Sequence, residues 1–136
     1  MLSVTLTNRL TELERLSRIV EAFVEDHRLP PELGYPINLA LDEVLTNIIT
    51  YAYADQDEHW ITLRLSLDGD VLTAELEDDG RPFNPLDAPE PIMEGTLEER
   101  PVGGLGIHLV RRMMDQLEYR REGDRNRLVM KKTVSA

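Results

Sequence analysis

Glu43 and Asn47 stand four residues apart in the run INLALDEVLTNIITYAY, residues 37–53. On a helix, that spacing stacks the two side chains one turn apart, about 6 Å between their Cβ atoms. A carboxylate and a neutral amide so placed suit a metal–phosphate site. The amide oxygen is a ligand that Mg²⁺ accepts while keeping several waters. The carboxylate can orient or deprotonate a nucleophile. Taken alone, the pair reads first as the solvated edge of an otherwise apolar helix.

A second cluster, Glu77-Asp78-Asp79-Gly80, closes a run of strand character. By itself it is an acidic turn. At the floor of a pocket, Asp78 could instead accept the exocyclic N–H of adenine, with Gly80 letting a base approach the backbone. A third, Gly103-Gly104-Leu105-Gly106, runs into IHLVRRMM. A dinucleotide-binding fingerprint needs a third glycine where Leu109 stands, directly after a first strand. A Walker loop needs Gly-Lys-Ser/Thr where Ile107 and His108 follow Gly106. Both are excluded. What is left is either a glycine turn whose helix N–H groups hold phosphates or a hinge capping a helix.

The elements that must position these residues follow from hydrophobic period. Ser3–Leu6 alternates as a short edge strand. Thr7 or Asn8 caps a first helix whose apolar residues Leu10, Leu13, Leu16, Ile19, Val20, Phe23 and Val24 recur at helical spacing. Leu29-Pro30-Pro31 ends it. Pro36 opens the second helix, whose apolar face carries Leu41, Val44, Leu45, Ile48 and Ala52. WITLRLSL and VLTAELED alternate strictly about Asp68-Gly69, a β-hairpin signal. Ile61, Leu63, Leu65 and Leu67 share its buried face, and Trp60, Thr62, Arg64 and Ser66 the other. Residues 81–102 hold five prolines and no period, as a functional lid or a disordered segment does. The helix after the glycines continues through Val110–Leu117. Leu117–Arg121 and Arg127–Val134 pair as a hairpin across Glu122–Asn126. The order β-α-α-β-β-lid-α-β-β predicts one domain over residues 1–136. Its fold class is α/β (α+β): a two-layer sandwich whose mixed, mostly antiparallel sheet is covered by helices on one face.

Composition agrees. The 136 residues fit one domain. With 41% hydrophobic and 30% charged residues the chain can bury a core as a soluble protein. It has no cysteine and so no disulfide framework. A net charge of −11 argues against direct nucleic-acid binding, while leaving room for an anionic ligand held by local N–H groups and a cation. MLSVTLTNRLTELERL lacks the basic-then-apolar pattern of a signal peptide, and no apolar run reaches membrane-spanning length. The expectation is a cytoplasmic protein with no membrane partner. His27, His59 and His108 give no zinc pattern. Met113 and Met114 read as core or interface filling, and Tyr51, Tyr53 and Trp60 as packing residues.

In combination, Glu43-x-x-x-Asn47, Asp78-x-Gly80 and the lid ending at Gly103–Gly106 resemble the three nucleotide boxes of the GHKL ATPase superfamily, the Bergerat ATP-binding fold. INLALDEVLTNIITYAY, EDDGRPFNP and RPVGGLGIHLVRRMMD are similar to its bacterial anti-sigma-factor serine/threonine kinase branch. Each box alone is weak; their order and spacing are specific, and the resemblance runs from about Leu2 to Lys132. It implies Glu43 as general base, Asn47 as Mg²⁺ ligand, Asp78 as reader of the adenine amine and Gly80 under the base. It also implies Gly103, Gly104, Leu105 and Gly106 as the phosphate loop and Arg100 as a γ-phosphate contact, with a lid over about 81–106.

The implied activity is transfer of phosphate from ATP to a serine or threonine of an anti-anti-sigma (STAS-like) protein. The same kinase would hold a sigma factor away from RNA polymerase, and the resemblance implies a homodimer. Leu10, Leu13, Leu16 and Ile19 offer its interface, unless that stripe packs on the chain's own sheet. An ATP-binding module without transfer, or a simple GHKL ATPase, would keep the same boxes. The chain departs from the superfamily in two places. Pro82 stands where a second glycine is frequent, and RNRLVMKKTV lacks a clear counterpart of a threonine often placed near the nucleotide. Thr133 falls too late.

Overall fold

The computed structural model describes residues 1–55, 57–87 and 105–134. The alternating runs become five strands: β1 (Leu2–Thr7), β2 (Trp60–Asp68), β3 (Val71–Asp78), β4 (Gln116–Glu122) and β5 (Arg125–Thr133). They form one sheet in the order β1-β2-β3-β5-β4. All four neighbouring pairs are antiparallel, so the described sheet has no parallel component. The reason lies in the connections. Between β1 and β2 the chain goes out along one helix and back along another, and Trp60 returns beside Thr7 at the end it left.

Both hairpins close on a two-residue Gly-Asp turn. Asp68 pairs with Val71 across Gly69-Asp70, and Glu122 with Arg125 across Gly123-Asp124. Gly69 and Gly123 have φ of 61° and 60°, and neither following aspartate has positive φ. That is the II′ pattern, whose first position glycine adopts without steric cost. The first turn therefore sits one residue later than Asp68-Gly69, and the last spans two residues rather than Glu122–Asn126.

Among the described residues three α-helices cover one face: α1 (Glu12–Asp26), α2 (Gly34–Tyr51) and α3 (Leu105–Met113). Leu16, Val20 and Phe23 of α1, Leu41, Val44, Leu45 and Ile48 of α2, and Val110 of α3 join Ile61, Leu63, Leu65, Leu72, Leu76, Leu128 and Met130 of the sheet in one core. Each leucine buried this way contributes roughly 1.5–3 kcal/mol. The opposite face is charged. Arg64 Nη1 donates to Glu75 and Glu77 at 2.7 Å each, which holds the Glu77 carboxyl below the usual glutamate range. No helix among the described residues is long and apolar enough to cross a membrane.

Several boundaries differ from the sequence reading. α1 starts at Glu12, not after Thr7 or Asn8. Thr7 instead fastens the strand to the helix, its N–H and Oγ1 donating to Glu12 Oε1 at 3.3 and 3.0 Å. α2 starts at Gly34 after a short 3-10 turn, Pro31–Leu33, so Pro36 lies inside its first turn. The proline is tolerated there because the first four N–H groups of a helix have no partner within it. α3 stops at Met113, and Leu117 belongs to β4. Leu67 is only partly buried, near the hairpin end. Trp60, expected as a packing residue, is 55% exposed at the start of β2.

Candidate functional site

α2 buries Leu41, Val44, Leu45 and Ile48 together with Asn47, and it packs against α3. Glu43 is half-buried and Asn47 is 3% exposed. Beside them, Asp42 has its carboxyl pushed up, first by burial and then by the charge of Glu43. Asn47 Nδ2 donates to the Pro85 carbonyl at 3.1 Å. Only the NH₂ can donate to a carbonyl, so the amide's orientation is set and its oxygen is the atom that could serve a cation. Among the described residues no group of three or more His, Cys, Asp or Glu could hold a metal. A cation here would share few protein ligands with its waters, as Mg²⁺ does.

β3 runs inward-facing Leu72, Ala74 and Leu76 into Asp78, which inherits their parity and is 1% exposed. Gly80 N and Asn126 Nδ2 both donate to its Oδ1, each at 2.9 Å. Oδ2 is therefore the oxygen left to accept from a ligand. Burial pushes the Asp78 carboxyl up; the Asn126 and Gly80 donors pull it back, Asp79 raises it and Arg121 lowers it.

Gly80 has a structural reason of its own. A Cβ there would stand 2.5 Å from Ala52 O and 2.8 Å from Ala52 Cβ. The same carbonyl accepts from Arg81 N at 2.9 Å. The turn after β3 is thus clamped to the end of α2, and the side of Gly80 that lacks a side chain faces the chain itself.

Residues 81–87, the first part of the expected lid, are anchored. Arg81 is held by Ala52 and, through Nε, by Tyr51 O at 2.7 Å. Pro85 and Leu86 are buried in a short 3-10 turn, Pro85–Asp87, that Asn84 opens by accepting from Leu86 N. Leu105 and Gly106 form the backbone start of α3, which packs on α2 through Ile107 and Val110. Arg100, Gly103 and Gly104, with the rest of the lid, lie outside the described residues.

Sequence reasoning missed Asn126. It is register partner to Asp78 across β3 and β5 and is 1% exposed. Its signal was parity: in RNRLVMKKT it shares the inward side with Leu128 and Met130, where an apolar residue is the norm. Thr133 pairs with Val71, at the end of β3 away from Asp78, so it stands far from the candidate site. Tyr119 and Arg121 of β4 were missed with it. Tyr119 Oη donates to Asn126 Oδ1 at 2.6 Å and Arg121 Nη1 to Gly80 O at 2.8 Å.

Residues 6–132 match the model of the histidine kinase-like ATPase domain. The serine/threonine-protein kinase BtrW of Bordetella bronchiseptica is 30% identical over 129 residues, covering 95% of this chain and 88% of that protein. Among solved structures, the histidine kinase AdeS of Acinetobacter baumannii superposes on all of this chain and 70% of its own with a TM-score of 0.50 at 16% identity, a likeness of fold.

Proposed function

This chain belongs to the histidine kinase-like ATPase domain family, of the GHKL type, and on that premise we propose that it is an ATP-dependent serine/threonine protein kinase and anti-sigma factor. The observation that carries the reading is the buried Asp78. Its two donors crowd onto Oδ1 and leave Oδ2 as an acceptor at the end of the sheet, a fit for the exocyclic amine of adenine. Asn47, pinned by Pro85, adds an amide oxygen of defined direction for Mg²⁺. Likeness to a serine/threonine-protein kinase over 95% of the chain supports the hydroxyl acceptor.

Bound Mg-ATP would supply the transferable γ-phosphoryl group. Asp78 and Gly80 take the base, and Asn47 takes the cation. Glu43, one turn before Asn47, would accept the proton of the incoming serine or threonine hydroxyl as that oxygen bonds to the γ-phosphorus and the bond from phosphorus to the β–γ bridging oxygen breaks, with ADP as the leaving group. Gly103, Gly104, Leu105 and Gly106 offer backbone N–H groups to the phosphates, and Arg100 a positive charge to the γ-phosphate. In phosphoryl transfer, such positioning and electrostatics supply most of the catalysis.

The protein substrate in this reading is an anti-anti-sigma, STAS-like partner, released when phosphorylated, and the competing partner is a sigma factor. A homodimer would use β1, an edge strand, and the α1 side, where Leu10 is 56% exposed. Leu13 and Ile19 are partly buried against the core, and Leu16 is wholly within it, so Leu16 drops from the interface. Incubation with γ-labelled ATP and a STAS-like protein tests the kinase. Label on a serine or threonine of that protein is expected; label released only as inorganic phosphate overturns transfer.

A further inference from the structure

An asparagine side chain can make four hydrogen bonds, two given and two taken. Asn126 makes all four. Nδ2 donates to Asp78 Oδ1 at 2.9 Å and to Arg81 O at 2.7 Å. Oδ1 accepts from Phe83 N at 3.2 Å and Tyr119 Oη at 2.6 Å. A buried amide is costly unless satisfied, and here satisfaction is complete, so the side chain has nothing left for a ligand. Whatever it does for the site it does through Asp78 and through the backbone that follows Gly80.

We propose that Asn126 is a positioning residue for base recognition: it fixes Asp78 as a hydrogen-bond acceptor and ties that carboxylate to the first residues after the Gly80 turn. The inference rests on Asp78 as the base-binding carboxylate. Its consequence is specificity. Adenine presents an amine donor where hypoxanthine and guanine present a carbonyl acceptor. An ionised Asp78 can only accept, so it favours adenine; a protonated one could donate to the carbonyl. Burial drives Asp78 toward the protonated form, and the Asn126 donor opposes this. Asp79 and the Tyr53 hydroxyl that donates to it stand beside the turn, and Arg121 of β4 holds Gly80 O.

The experiment measures ATP and ITP binding by calorimetry at pH 6 and pH 8 for the wild type, Asp78→Asn, Asn126→Asp and Tyr119→Phe. Asn126→Asp keeps the shape and replaces the donors with a second carboxylate. It should lose roughly tenfold to a hundredfold in ATP affinity at pH 8, regain part at pH 6 as the carboxylate pair takes up a shared proton, and narrow the ATP preference. Wild-type affinity and preference at both pH values overturn the inference. So does a loss of thermal stability with the preference and its pH dependence unmoved, the mark of a purely structural role. Should Asn126→Asp fail to fold, Tyr119→Phe decides. It removes only the 2.6 Å bond behind the amide and should cut the ATP-over-ITP preference roughly twofold to tenfold; an unchanged preference overturns the proposal. Asp78→Asn separates the two levels. If it leaves ATP binding intact, the reading of Asp78 fails and this inference with it. If it weakens ATP while Asn126→Asp does not, only the role of Asn126 fails.

Discussion

Asn47 on α2 donates to the Pro85 carbonyl at 3.1 Å, so the residue proposed to hold the cation also pins the segment that follows the β3 turn. Residues 81–87 are held from three directions: Ala52 at the end of α2, Asn47 about one turn before it and Asn126 on β5. A change at any of these anchors reaches the others through one short stretch of backbone. Asn47 substitutions should therefore act on both the proposed cation binding and the setting of the turn, and are poor probes of either alone. Cleaner probes lie on either side.

Glu43 and Asp78 should separate catalysis from binding. Glu43→Ala removes the proposed proton acceptor and leaves the proposed base contacts in place; phosphotransfer should fall at least about a hundredfold with ATP affinity within a few-fold of wild type. Asp78→Asn places an amide on the acceptor side and should weaken ATP binding itself by roughly tenfold or more. Calorimetry with ATP and a label-transfer assay on the same preparations check both. Wild-type transfer by Glu43→Ala removes it as the base.

Gly80→Ala should destabilise the fold through its contact with Ala52, in the absence of any nucleotide. Its Cβ would meet Ala52 O at 2.5 Å and Ala52 Cβ at 2.8 Å, and a helix-end carbonyl that already accepts from Arg81 cannot retreat freely. The expected cost is roughly 1–3 kcal/mol, a drop of several degrees in Tm. Adding Ala52→Gly relieves only the Cβ contact, so recovery should be partial. A Gly80→Ala protein that melts with the wild type would show that the turn can move.

The residues that were legible in sequence are those whose meaning is local. Glu43 and Asn47 are one turn apart, and Ile61, Leu63 and Leu65 alternate within one strand, so period alone placed them. Asn126 was opaque because its role exists only once β3 and β5 pair and bring it to Asp78, 48 residues away. Gly80 was legible as a special glycine but not for its reason, since Ala52 closes on it from another element. The end of α3 was misjudged because Leu117 fits both a helical face and the inward parity of β4; pairing with Met130 decides it.

The dimer proposal has a surface test. Leu10 precedes α1 and is 56% exposed, outside the core. Leu10→Glu should leave folding stability within about 0.5 kcal/mol yet place a charge in the proposed interface. Light scattering should give a mass near twice 15.6 kDa for the wild type and nearer a single chain for the variant. A monomeric wild type at high concentration excludes the dimer.

His59 adds a pH dependence to the same end of the sheet. Its Nε2 lies 2.7 Å from Asp55 Oδ1 and its Nδ1 3.6 Å from Asp79 Oδ1. Its ring stacks on Tyr53 at 4.3 Å, and Tyr53 Oη donates to Asp79 at 3.2 Å. The bond to Asp55 raises the imidazole above its ordinary pKa, against a smaller lowering by burial, with the charges of Asp55, Asp79 and Asp57 adding to the rise. Asp55 is lowered in turn and stays ionised across this range. A group whose folded pKa is raised stabilises most below its unfolded value, about 6.5 for histidine, and that contribution is lost as pH rises through the folded pKa. His59→Gln should therefore be less stable than the wild type at pH 6, with the gap closing toward pH 8.5. The effect is modest because the pair is near solvent and screened by salt. Urea midpoints for both proteins across that range check it; a gap independent of pH would mean that stacking on Tyr53, not the charge, is what His59 contributes.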